Sequence, residues 1–155
     1  RIRQELEKLI CYCMEKESIT EEDVAVICSE QTENKIFDMI NAMAEKKQKK
    51  AMELYYDLLA LKEPPMRILY LITRQFNLLM QVKELSEEGY SAKTISERLK
   101  MAGFIVRNCL RQAEYFSLKT LKEALQDCVR MEEAVKTGRM NDVMSVELLL
   151  VKYSS

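Results

Sequence analysis

Only three glycines and two prolines are spread over 155 residues, and this scarcity of turn formers is the strongest constraint on what the chain can fold into. A many-stranded sheet needs turn residues roughly every 8–12 positions, whereas long helices with short connections need far fewer. With 48% hydrophobic and 32% charged residues, the chain has the material for amphipathic helices. The expected fold class is all-α: one ordinary core, with length left for a small piece of a second domain.

Helix starts can be read directly. Thr20 lies between Ile19 and Val24, Ser91 between Tyr90 and Ile95, and Ser117 between Phe116 and Leu121. In each case a hydroxyl can accept from an orphan first-turn amide, while the flanking apolar pair staples the entry angle. Helices are therefore expected near 20–29, 91–100 and 117–136. Pro64 and Pro65 should end one helix and open another at Met66, because proline lacks a donor yet fits a first turn. Gly89, Gly103 and Gly138 stand where helices should stop. Residues 1–16 are already in helical period through Leu6, Leu9, Ile10 and Cys13, with no cap in front, which predicts a segment cut from a longer protein. Eight or nine helices are expected in all.

The helix from Met66 to Glu88 should be central. Arg67, Tyr70, Arg74, Asn77, Gln81 and Glu84 form one polar stripe, while Ile68, Leu69, Leu71, Ile72, Phe76, Leu79 and Val82 cover the remaining surface. Packed on several sides, it would be the scaffold of a bundle, with the stripe left for solvent or a partner.

The chemistry that the sequence offers is sparse. There is no histidine, hence no usual general base near neutral pH and no commonest metal ligand. Five cysteines with no C-x-x-C pair argue against a disulfide framework or a zinc site, and Cys11 and Cys13 point about 200° apart on a helix, too far to chelate one ion. No glycine-rich phosphate loop, G-x-S-x-G elbow or paired-carboxylate motif occurs. Lys plus Arg number 24 against 25 Asp plus Glu, so no overall field attracts nucleic acid or an anionic membrane. No apolar run approaches the roughly 20 residues of a membrane span. No catalytic residue, metal or cofactor is expected, and a cytoplasmic location is.

Three local constellations carry more than one reading. Leu118, Leu121, Leu125, Cys128, Glu132 and Val135 step along one helix as a seam in which Glu132 is the odd member. Either Lys136, one turn on, partners it, or the seam has reached solvent there. The run EKKQKK at 45–50 could touch phosphates, but without interleaved aromatics it reads as a solvated linker. Residues 91–112 have helix-turn-helix spacing, with Ile95, Leu99, Gly103, Val106 and Leu110 at the expected places. Phe104, Ile105 and Val106 stand where a base reader needs exposed polar side chains, so the unit reads as a packing motif. A DNA-binding regulator using residues near 104–111, with Arg107 and Arg111 on the backbone, is the alternative. The ten methionines are scattered and read as core filler.

From Ile36 on, the order of motifs resembles the delta-subunit family of the bacterial DNA polymerase III clamp loader. Ile36-Phe37-Asp38-Met39-Ile40 with Lys50-Ala51 resembles that family's entry into its C-terminal domain; Ile68-Leu69 with Arg74-Gln75 and Lys83 resembles its central helix. Phe104-Ile105-Val106, Gln112-Ala113, Phe116-Ser117 with Leu121, Lys136-Thr137-Gly138 and Glu147-Leu148 follow in the family's order. Where this chain has Glu132 the family usually has Asp.

The resemblance implies a helical collar domain at 33–155, preceded at 1–32 by a short remnant of an AAA+ lid domain. Five subunits of such loaders join through collar domains into a ring, from which ATPase-like modules open the sliding clamp; the delta subunit does not hydrolyse ATP and grips the clamp through its N-terminal module. This chain would then be a non-catalytic assembly fragment, and its full-length protein an accessory subunit of a DNA-directed DNA polymerase. Its partners would be ATPase-type and delta-prime-type subunits, with DNA met only in the assembled complex and neither a membrane nor a small-molecule substrate. Arg74, Gln75, Glu132, Lys136 and Glu147 are the partner-binding or scaffold residues that this resemblance suggests.

Overall fold

The computed structural model describes the backbone of residues 21–155 and the side chains from residue 31 on. The cap at Thr20, the helix expected at 1–16, and Cys11 and Cys13 lie outside the described residues. The chain divides after Lys35 into two units, and the second, Ile36–Ser155, contains the core and surfaces considered below.

Seven helices and no strand occur among the described residues: α1 (Glu21–Ala44), α2 (Gln48–Ala60), α3 (Pro65–Glu87), α4 (Ala92–Leu99), α5 (Gly103–Ala113), α6 (Leu118–Lys136) and α7 (Asp142–Ser154). The all-α expectation is met. The helix expected to end near residue 29 instead continues to Ala44, because no glycine or proline interrupts it. The basic run at 45–50 is exposed throughout and comprises the turn after α1 and the first residues of α2.

Ser91 and Ser117 cap α4 and α6 as expected, accepting from the amides of Thr94 and Thr120 at 3.3 and 3.0 Å. Pro64 caps α3 and Pro65 opens it. Gly89 and Gly138 follow α3 and α6 with φ of +97° and +76°, the left-handed conformation of helix stops. Gly103 is the exception: it opens α5, and the left-handed residue between α4 and α5 is Lys100, with φ +54°. Lys46 and Lys62 take the same conformation after α1 and α2.

Around α3 pack α4, α5, α6 and α7, while α7 also packs on α2 and α6. The buried residues of α3 are Ile68, Leu69, Leu71, Ile72, Phe76, Leu79 and Val82, the same seven that its periodicity predicts. Phe76 meets the ring of Phe116 edge-on at 5.8 Å and lies 6.2 Å from that of Tyr153. Met39, Ile40 and Met43 of α1 and Leu54, Tyr55 and Leu58 of α2 add fully buried bulk. Met39 and Met43 are core filler as expected, but Met144 is exposed.

Two expectations about packing need correction. On α6 the buried positions are Leu121, Ala124, Asp127 and Cys128, while Leu118, Leu125 and Val135 are only half-buried. The face is turned from the predicted seam because a small residue and a carboxylate, both passed over by an apolar count, hold two of its positions. On α5 the inner face is Val106, Cys109, Gln112 and Ala113; Phe104 and Ile105 turn outward and do not pack into the unit.

Candidate interaction surface and the networks that hold it

The buried side chains of Gln112 and Asp127 join helix to helix, whereas those of Ser145 and Ser154 bond within their own helix. Gln112, on the inner face of α5, donates through Nε2 to the Phe37 carbonyl at 3.0 Å and to Asn41 Oδ1 at 2.8 Å, both on α1. Its Oε1 accepts from Gln75 Nε2 of α3 at 3.0 Å. One buried amide thus fixes the register of three helices. Gln75, suggested by resemblance, lies at this junction, and on the same helix Lys83 donates to the Ala113 carbonyl at the end of α5, 3.2 Å away.

A second network pins α7 to α6. Asp127 Oδ2 accepts from Lys152 Nζ at 2.6 Å and from the Tyr153 hydroxyl at 2.5 Å, and Arg130 lies 3.5 Å from Oδ1. Lys152 also reaches Glu123, at 3.1 Å. Burial alone would raise the Asp127 pKa, but the hydrogen bonds from Lys152 and Tyr153 and the nearby cations hold it below its ordinary value. The same bonds to Asp127 and Glu123 raise the pKa of Lys152. Two more contacts seat α7: the Tyr55 hydroxyl donates to the Val143 carbonyl at 2.9 Å, and Lys46 Nζ donates to the Tyr153 carbonyl at 3.4 Å. Asn141 caps the helix, accepting from the amides of Val143 and Met144.

The other suggested residues lie apart from these networks. Glu132 and Lys136 form an exposed ion pair at 2.7 Å on the last turns of α6, so the local partner and the emergence of the seam into solvent are both found. Glu147 is half-buried and accepts from the Tyr56 hydroxyl at 3.2 Å, linking α7 to α2. Arg74 is exposed on the polar stripe of α3. These five residues do not converge on one cleft.

Sequence reasoning missed three features. Asp127 is interrupted by no local signal except its place within an apolar face. Gln112 looks like any surface glutamine. Met144, Leu148 and Val151 are exposed along α7 at steps of four and three, a periodicity hidden because apolar residues fall on every side of the helix.

A hollow of about 220 Å³ opens between α3 and α5, lined by Lys83, Ser86, Glu87, Leu110, Ala113 and Glu114. A hollow of about 140 Å³ between α1 and α5, lined by Phe37, Asn41, Asn108, Arg111, Gln112 and Tyr115, is little larger than a few water molecules. Among the described residues no group of three or more Cys, Asp or Glu could hold a metal ion, and no helix is long and apolar enough to cross a membrane. Burial raises the pKa of Cys109 and pushes that of Cys128 up to about 11, which keeps both thiols protonated and unreactive at neutral pH. Phe104 and Ile105 are exposed at the start of α5, where a helix-turn-helix protein would present polar base readers.

Comparison with known proteins gives concordant results. A family described as the C-terminal domain of the DNA polymerase III delta subunit matches residues 33–153. DNA polymerase III subunit delta of Bacillus subtilis (strain 168) is 34% identical over 151 residues, covering 97% of this chain and 44% of that protein. A solved structure, the Bacillus subtilis DNA clamp loader delta protein (YqeN), superposes with a TM-score of 0.79 at 33% identity, again over 97% of this chain and 44% of the other. The chain thus spans less than half the length of these relatives.

Proposed function

Because the chain belongs to the DNA polymerase III delta-subunit family through its C-terminal domain, we propose that it is a non-catalytic assembly segment of a bacterial clamp loader. The observation that carries this reading is the use of its buried polar groups: Gln112, Asp127 and Tyr153, with half-buried Gln75 and exposed Lys152 as partners, lock helices together. Such a unit is a rigid support that presents surfaces.

In this reading residues 33–155 are the collar domain and residues 1–32 the end of a lid domain. The collar meets ATPase-type and delta-prime-type subunits in the cytoplasm, and DNA is reached only through the assembled loader. The full-length protein serves as an accessory subunit of the replicative polymerase, without ATP hydrolysis of its own. Gln75, Glu147 and the Glu132–Lys136 pair act as scaffold, and Arg74 belongs to a surface open to a neighbour.

The test is reconstitution. The chain, shown to be helical by circular dichroism, is mixed with purified ATPase-type and delta-prime-type subunits and resolved by size-exclusion chromatography. Co-elution in a larger species is expected. A folded chain that elutes alone at every concentration tried contradicts the proposal.

A further inference from the structure

The outward face of α7 carries Met144, Leu148 and Val151, exposed by 52%, 44% and 38%. Beside it on α2 stands Tyr56, exposed by 48% and held against α7 by its bond to Glu147. The charges flanking this stripe are engaged within the molecule: Glu147 accepts from Tyr56, and Lys152 binds Asp127 and Glu123. What faces outward is an apolar ridge on a helix fixed along its length by Asn141, Tyr55, Asp127 and Lys46. Fixing a face in advance removes much of the ordering cost of binding.

From this arrangement we infer that the α7 ridge, with Tyr56 at its edge, is the seam that receives an amphipathic helix of a different clamp-loader subunit. The inference rests on the clamp-loader reading above and adds to it the surface and the chemistry of the partner. Side chains at steps of four and three make one ridge, which fits the groove of a single apposed helix bearing apolar residues at the same spacing. With no free charge at its centre, the ridge favours an apolar partner over an acidic or basic one. Its size selects a different subunit over a second copy. Three aliphatic side chains and one ring offer on the order of a few hundred Å², whereas a stable pair buries about 800 Å² on each partner. A seam this small holds only when the partner is anchored elsewhere too, as a subunit of a multi-protein ring is. Phe104 and Ile105, adjacent and exposed, are not part of such a ridge: Asn108 and Arg111 follow them along α5.

The experiment compares the unaltered chain, Leu148→Glu and Phe104→Glu in co-elution with the purified loader subunits, with light scattering of each chain alone. Both substitutions are at exposed positions, and unchanged thermal midpoints establish folding; Val151→Lys replaces Leu148→Glu if the latter unfolds. The expected result is entry of the unaltered chain and Phe104→Glu, at least tenfold weaker entry of Leu148→Glu, and monomers in isolation. Equal entry of Leu148→Glu overturns the seam and leaves the clamp-loader reading intact, as does loss confined to Phe104→Glu. A dimer of the unaltered chain that Leu148→Glu dissolves overturns the choice of partner. Failure of the unaltered chain to enter at all removes the clamp-loader reading, and the seam with it.

Discussion

At Asp127 a carboxylate with a side chain only 9% exposed is held by Lys152 and Tyr153, and its lowered pKa ties the α6–α7 contact to pH. A carboxyl that is more acidic folded than unfolded stabilises the fold fully above the ordinary carboxylate value of 3.8, and that contribution is lost as pH falls through the lowered folded value. Lys152 works in the opposite direction: its raised pKa adds stability below 10.5 that fades as pH climbs through the higher folded value. Asp127→Asn should therefore cost about 1–2 kcal/mol at pH 7, with the gap from the unaltered protein closing below about pH 4, as read from urea midpoints at both pH values. Gln112 invites a parallel test. Gln112→Leu strands Asn41, Gln75 and the Phe37 carbonyl together and should cost about 2–3 kcal/mol, against about 1 for Gln75→Ala, which strands the Gln112 Oε1 alone. The burial of neither residue was legible beforehand, although Gln112 stood in one of the family motifs. A single Asp or Gln carries no sign of burial until its distant partners, Lys152 and Tyr153 or Phe37 and Asn41, are brought to it.

Elements are where the amino-acid order spoke most clearly. The caps at Ser91 and Ser117, the proline start of α3 and all seven buried positions of that helix follow from local physics: a hydroxyl within reach of an orphan amide, a missing donor, a period of 3.6. Local physics was less informative where it was permissive. Nothing in residues 21–44 stops a helix, so α1 outran its expected end. Lysine has no preference for positive φ, so the turns at Lys46, Lys62 and Lys100 left no mark. That misfit predicts a gain: Lys100→Gly relieves left-handed strain at an exposed helix end and should stabilise the unit by about 0.5–1 kcal/mol, net of glycine's greater unfolded-state entropy. An unchanged or lower thermal midpoint would show that Lys100 makes a compensating contact.

For the molecule as a whole, the scarcity of glycine and proline was enough to indicate an all-helical fold, and the order of motifs pointed to a family that the matched domain and a TM-score of 0.79 bear out. The surface was harder to read. On α7 apolar residues fall on every side of the helix, Leu148 to Val151 being four in a row, so a sequence pattern cannot separate Val146, Leu149 and Leu150, which face the core, from Met144, Leu148 and Val151, which face out. Only packing against α2, α3 and α6 makes that distinction. The central claim is that this unit joins a loader as one subunit among others, and native mass spectrometry of the chain mixed with the purified ATPase-type and delta-prime-type subunits tests it most directly. The account predicts a species containing a single copy of the chain bound to those subunits. A spectrum in which the chain occurs only free, or only bound to itself, would contradict it.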